Sequence, residues 1–290
     1  MTDREEFNAL IELLDDKDNT VAQCVRARLK AYGSEAVDEL CMAAARESDA
    51  SRKYLIETEA AALNSDIRLQ EFANLVRLGE DVSLFECAYL ICSMLDPVLR
   101  RDFFEDLFLK CSSEYVAESS DQRTAVENIR IFNHIFFHRL HFNIYDVEMG
   151  QLNYALVSEA VRTRQGNPFA IAYIYLMMAQ FAGLPLQVLS FPGGFVPAYV
   201  ENGKELFYVN VYRNGEIFLK ERLQEFISAL GLHTDMAAFQ LRDEKALLTI
   251  YLESLQFICS NNGDETKAAI LGRALACLGN ERFLSIDEEV

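Results

Sequence analysis

The chain has 290 residues, 51% of them hydrophobic and 25% charged, with a formal net charge of −18. That length suits one large domain or two ordinary ones. No run approaches the roughly 20 consecutive apolar residues of a membrane helix, and the negative charge repels phosphate backbones and anionic membrane surfaces, so the expected partner is neither nucleic acid nor membrane. The seven cysteines are odd in number, form no CxxC pair and mostly sit among apolar neighbours. Free thiols in such settings act as small buried hydrophobes, which argues for a reduced, cytoplasmic protein rather than a disulfide scaffold. The start of the chain, MTDREEFNALIELLDD, is charged and then amphipathic, unlike a secretory signal.

In chain order, Phe7, Leu10, Ile11, Leu13 and Leu14 make the first apolar stripe, and DDKDN interrupts it. Val21, Val25 and Leu29 carry a second helix that stops at Gly33, and Ser34 is placed to cap a third running through Ala45. This pairing resembles one HEAT-type helical repeat without a second copy at a fixed period. Further helices are expected over 51–64, 66–78, 81–94 and 96–111, the last with Pro97 in its first turn.

Three more helical segments follow: 121–140, 151–163 and the nearly all-apolar PFAIAYIYLMMAQFA at 168–182. A helix without a polar face belongs in a core. After Gly183 the apolar period changes to two. LPLQVLSF, FVPAYVEN, ELFYVNVY and EIFLK read as four strands joined by tight turns, ENGK and YRNGEI among them. Helices over 220–230, 234–260 and 264–278 close the chain. The fold class is therefore α+β and mostly helical: a helical region at 1–115, a core at 116–232 with a small antiparallel sheet on a buried helix, and C-terminal helices at 233–290.

Few residues in this layout offer chemistry by themselves. There is no glycine-rich phosphate loop. His134 and His138 are spaced i, i+4, but no HExxH accompanies them and the nearest acid, Asp146, lies beyond the helix, so no metal and no cofactor is expected. The remaining histidines are His141 and His233, and Cys259 has no motif around it. Tyr173, Tyr175 and Phe181 suit a core better than a pocket, and the terminal IDEEV reads as a solvated end.

One stretch is more specific. Asn133 with Phe136 and Phe137, then Arg164-Gln165-Gly166-Asn167-Pro168, Gly183-Leu184-Pro185, Pro192-Gly193-Gly194-Phe195 and Tyr208-Val209-Asn210-Val211-Tyr212 follow one another in the order of a known pattern. The run resembles the SirB-type bacterial transglutaminase-like family over roughly 120–225. The resemblance implies a papain-like core in which a cysteine at the head of the buried helix is activated by a strand histidine, itself oriented by an aspartate. A helix N-terminus and an imidazolium both favour the thiolate, which is why the nucleophile stands there.

In this chain the three positions read Pro168, Gly194 and Asn210. Pro168 has no nucleophilic atom, Gly194 no base, and Asn210 no charge to balance an imidazolium. The resemblance thus implies a degenerate triad and a non-catalytic protein- or peptide-binding regulatory module. A glycine in place of the histidine is expected to open space for a ligand beside Asn167 and Arg213. The family's association with transcriptional regulation, with this net charge, points to action through a protein partner. The alternative is a cysteine-type peptidase or acyltransferase of the same fold with an unrecognised nucleophile.

Overall fold

The computed structural model describes residues 3–77, 82–120, 122–145, 150–192, 194–229, 239–241 and 243–279. The chain divides into two compact units, one of residues 1–77 with 90–99, the other of 78–89 with 100–290. The expected boundary at 115 falls inside the helix Arg101–Glu118, and that at 232 lies outside the described residues.

The first unit is helical: α1 (Asp3–Glu12), α2 (Asn19–Tyr32), α3 (Ser34–Arg46) and α4 (Ala50–Arg77), with the end of α5 (Leu84–Leu95). Asp18 starts α2 by accepting the Thr20 N–H at 2.8 Å, the role that short oxygen-bearing side chains fill at a helix start. At Gly33 the backbone turns positive, at φ 64°, which ends α2 and begins α3 without a side-chain cap; Ser34 is already inside the helix. Phe7, Ile11, Val25, Leu29, Leu40 and Ile56 form the core of this unit. Asn64 is buried there and donates to the Ser93 carbonyl at 2.5 Å. The two helices expected over 51–64 and 66–78 are one helix of 28 residues, with Asn64 and Ser65, at the expected junction, buried within it.

The second unit begins its long helices with α6 (Arg101–Glu118) and α7 (Ala125–Asn133). Pro97 lies in the turn before α6 rather than inside the helix. A π-helix, His134–Arg139, continues α7, and the Leu140 N–H reaches back five residues to the Ile135 carbonyl at 2.9 Å. Two short helices follow, α8 (Leu152–Ala155) and α9 (Val157–Thr163). A two-residue parallel pair, β1 (Asn143–Ile144) with β2 (Gln165–Gly166), brings the chain to the head of α10 (Pro168–Phe181). Every residue from Ala170 to Ala179 is buried, as its apolar circumference requires.

The strands are β3 (Leu186–Phe191), β4 (Gly194–Glu201), β5 (Lys204–Asn210) and β6 (Glu216–Phe218). They form an antiparallel sheet in the order β6-β5-β4-β3, extended by β7 (Gln240–Leu241) beside β3. The four expected strands are all present. β7 is too short to show a period in sequence. The sheet is covered on both faces. Phe195 turns toward α10 and meets the Phe169 ring at 5.2 Å, whereas Phe191, Val196 and Ala198 pack with Leu223 and Ile227 of α11 (Leu223–Ala229). Helices α12 (Glu244–Asn261) and α13 (Glu265–Leu278) finish the described chain. Tyr251 of α12 stands 5.1 Å from Tyr173, and its hydroxyl accepts the Val157 N–H at 3.0 Å.

Candidate functional site

The head of α10 is built by Asn167. Its side-chain oxygen accepts the Ala170 N–H at 2.8 Å, and its own N–H donates to the Tyr154 carbonyl at 2.7 Å. At 7% exposure the residue is a buried cap. Pro168 is the first helical residue, where a missing N–H costs nothing and the fixed φ suits the helix. The place where a thiol would gain most from the helix dipole thus holds an inert ring.

Gly194 opens β4 opposite Phe191. The space expected there is not open: a Cβ at 194 would lie 2.8 Å from Phe191 Cε2 and 3.0 Å from Cζ. The aromatic ring of the same hairpin has taken the volume that the absence of a side chain leaves.

Asn210 ends β5 opposite Glu216 of β6. The turn between these strands is held from below. Asn133 donates its Nδ2 hydrogen to the Gly215 carbonyl at 2.8 Å and accepts the Tyr175 hydroxyl at 2.6 Å. Tyr175 is fully buried among Phe132, Phe136 and Phe137, and burial raises its pKa well above the ordinary tyrosine value. Asn133 thereby ties α7, α10 and the 210–215 turn together.

Asn210 and Arg213 open on one cavity of about 410 Å³ between the end of the sheet and α11. Tyr212, Phe218 and Phe226 are aromatic walls, and Arg222 stands at the rim. Phe218 and Phe226 stack at 4.9 Å. Asn210 Oδ1 is buried without a hydrogen-bond donor among the described residues. Asn167, Pro168 and Gly194 do not line this cavity. The contact between Phe169 and Phe195 links the head of α10 to the start of β4, while Asn210 and Arg213 face α11. Arg222 and Phe226 escape a sequence reading; their only signal is the amphipathic stretch after the YRNGEI turn.

The remaining nucleophiles and histidines sit elsewhere. Burial pushes the Cys87 and Cys111 thiols up to about 12 and raises Cys41 and Cys259 as well, the opposite of activation. His134 and His138 stand 5.4 Å apart on the exposed side of the π-helix. Asp146, His233 and the IDEEV end lie outside the described residues. Among the described residues no three His, Cys, Asp or Glu side chains converge as metal ligands would. Tyr173 and Tyr175 are core, and Phe181 is 41% exposed. No described helix is long and apolar enough to cross a membrane.

The buried helix, the antiparallel sheet on its face and the order of the motifs agree with a sequence comparison: the family model of the transglutaminase-like superfamily matches residues 104–252. The chain belongs to the transglutaminase-like superfamily. The match starts inside α6 and ends inside α12. Neither curated proteins nor solved structures gave a match.

Proposed function

We propose that this transglutaminase-like protein is non-catalytic and acts in the cytoplasm as a protein- or peptide-binding regulatory module, of the SirB type by its motifs. The observation that carries this reading is Pro168 at the first position of α10, where acyl-transfer chemistry in this fold needs a thiolate. Gly194 and Asn210, aligned with the base and its orienting acid, supply neither proton transfer nor charge. Burial raises four of the seven thiols, so those four offer no substitute nucleophile. What the superfamily core retains is a rigid helix and sheet that present a concave, aromatic surface beside Asn210 and Arg213.

Alkylation of the folded chain with limiting iodoacetamide at neutral pH, quantified at all seven cysteines by mass spectrometry, tests the reading. Cys24, exposed at the surface, should react at the rate of an ordinary free thiol, and Cys87 and Cys111 only after unfolding. A thiol reacting far faster than a free one, together with hydrolysis of a fluorogenic peptide that its Cys→Ala variant loses, would establish the enzyme alternative instead.

A further inference from the structure

We propose that His134 and His138 form a surface site for one divalent transition-metal ion, each giving one ring nitrogen, with water in the remaining positions. The site lies on the outer face of the π-helix and is independent of how the triad positions are read.

Both residues belong to the π-helix His134–Arg139, and both are exposed. Residues four apart are neighbours on a helix surface. A π-helix fits more residues into each turn than an α-helix, so these two side chains stand closer along the axis than α-helical spacing would place them. Their ring centroids are 5.4 Å apart, and the rings lie 33° from parallel. A metal holds an imidazole nitrogen at about 2 Å, with the ring centre about 1 Å beyond, so two imidazoles at a tetrahedral angle have centres about 5 Å apart. The pair is therefore a small rotation away from the separation that a shared ion requires. Each ring lies against the other, and among the described residues neither makes a hydrogen bond or ion pair.

The charge around the pair suits a cation. The chain as a whole carries −18, which draws cations toward it. Arg139, next to His138, is neutralised by Glu118 at 2.5 Å and Glu114 at 3.5 Å. Arg130, four residues before His134, is exposed, and its long stem carries the charge out into water.

The ligand set names the class of ion. Imidazole suits copper, nickel and zinc, whereas magnesium and calcium take oxygen ligands. Among the described residues no third His, Cys, Asp or Glu joins the pair, and structural zinc sites are closed by four protein ligands. The site is thus open and exchangeable. Spacing without a third ligand is no reason to expect a metal from sequence; the ring separation supplies one.

The test uses the full chain, freed of metal by chelation and dialysis and titrated with nickel(II) chloride by calorimetry and by proton NMR of the imidazoles. One equivalent should bind, and the signals of His134 and His138 should broaden before those of His141 and His233. His134→Asn and His138→Asn are exposed substitutions that should keep the thermal transition. Each should weaken uptake at least about tenfold, since losing even a supporting partner of a ligand costs that much, and His141→Asn should leave uptake unchanged. Magnesium(II) at millimolar concentration should not compete. No uptake at millimolar nickel, unchanged uptake in either His134→Asn or His138→Asn, earlier broadening at His141 or His233, or competition by magnesium would overturn the proposal.

Discussion

At the scale of single residues, Gly215 is the described glycine with least room around it. Its φ is +78°, and a Cβ there would lie 2.2 Å from Asn133 Oδ1. Gly203 has a similar φ of +73° with open space around it. Gly203→Ala therefore carries only the left-handed penalty, about 1–2 kcal/mol. Gly215→Ala adds a collision and breaks the Asn133 bonds, for a total of about 3–5 kcal/mol. Urea denaturation of the two variants separates these contributions, and equal losses would mean that Asn133 yields freely. Gly194 teaches a related lesson. The absence of a base there was legible in the sequence, whereas the Phe191 ring that fills its place was not, because hairpin neighbours three apart give no signal of which side chain will turn inward.

At the scale of elements, α10 was legible throughout, since an unbroken apolar circumference has one destination. The four strands were legible from alternation and turn residues. The break expected near residue 65 is absent from α4, where Asn64 is tied to the Ser93 carbonyl, a tertiary fact that local propensity does not carry. The π-helix after Asn133 was illegible for a similar reason: one inserted residue shifts the hydrogen-bond ladder without changing composition. Asn167, a candidate for ligand binding in the sequence, holds the first turn of α10 by its side chain. Asn167→Ala should cost about 1–2 kcal/mol in chemical denaturation, and Asn167→Asp should keep most of the stability because it can accept the same N–H. An aspartate variant as unstable as the alanine variant would show that the cap is not the role of this side chain.

At the scale of the whole molecule, alkaline stability follows from the buried thiols and phenols. Cys87, Cys111 and Tyr115 are each pushed to about 12 by burial. The unfolded chain ionises a cysteine near 9, before the folded one does. The stability these groups confer is complete below that pH and is lost as pH rises from about 9 toward 12. Thermal melting should be level from neutrality to about pH 9 and fall steeply above it, and Cys111→Ala should make the fall shallower. An unchanged slope would place the alkaline limit elsewhere, in the mutual repulsion of 45 acidic residues against 27 basic ones.

The clasp that Asn133 makes with Gly215 joins residues 82 apart in the chain, and its partner Tyr175 must already be seated in α10. Such a bond cannot form until helix and hairpin have met, so it has little part in the early nucleus of folding. Its contribution belongs to the return journey. An interaction absent from the transition state slows unfolding without hastening folding, and the clasp therefore governs how long the turn carrying Asn210 persists once formed. The lifetime of the surface beside α11, rather than the speed of its assembly, is what these three residues set.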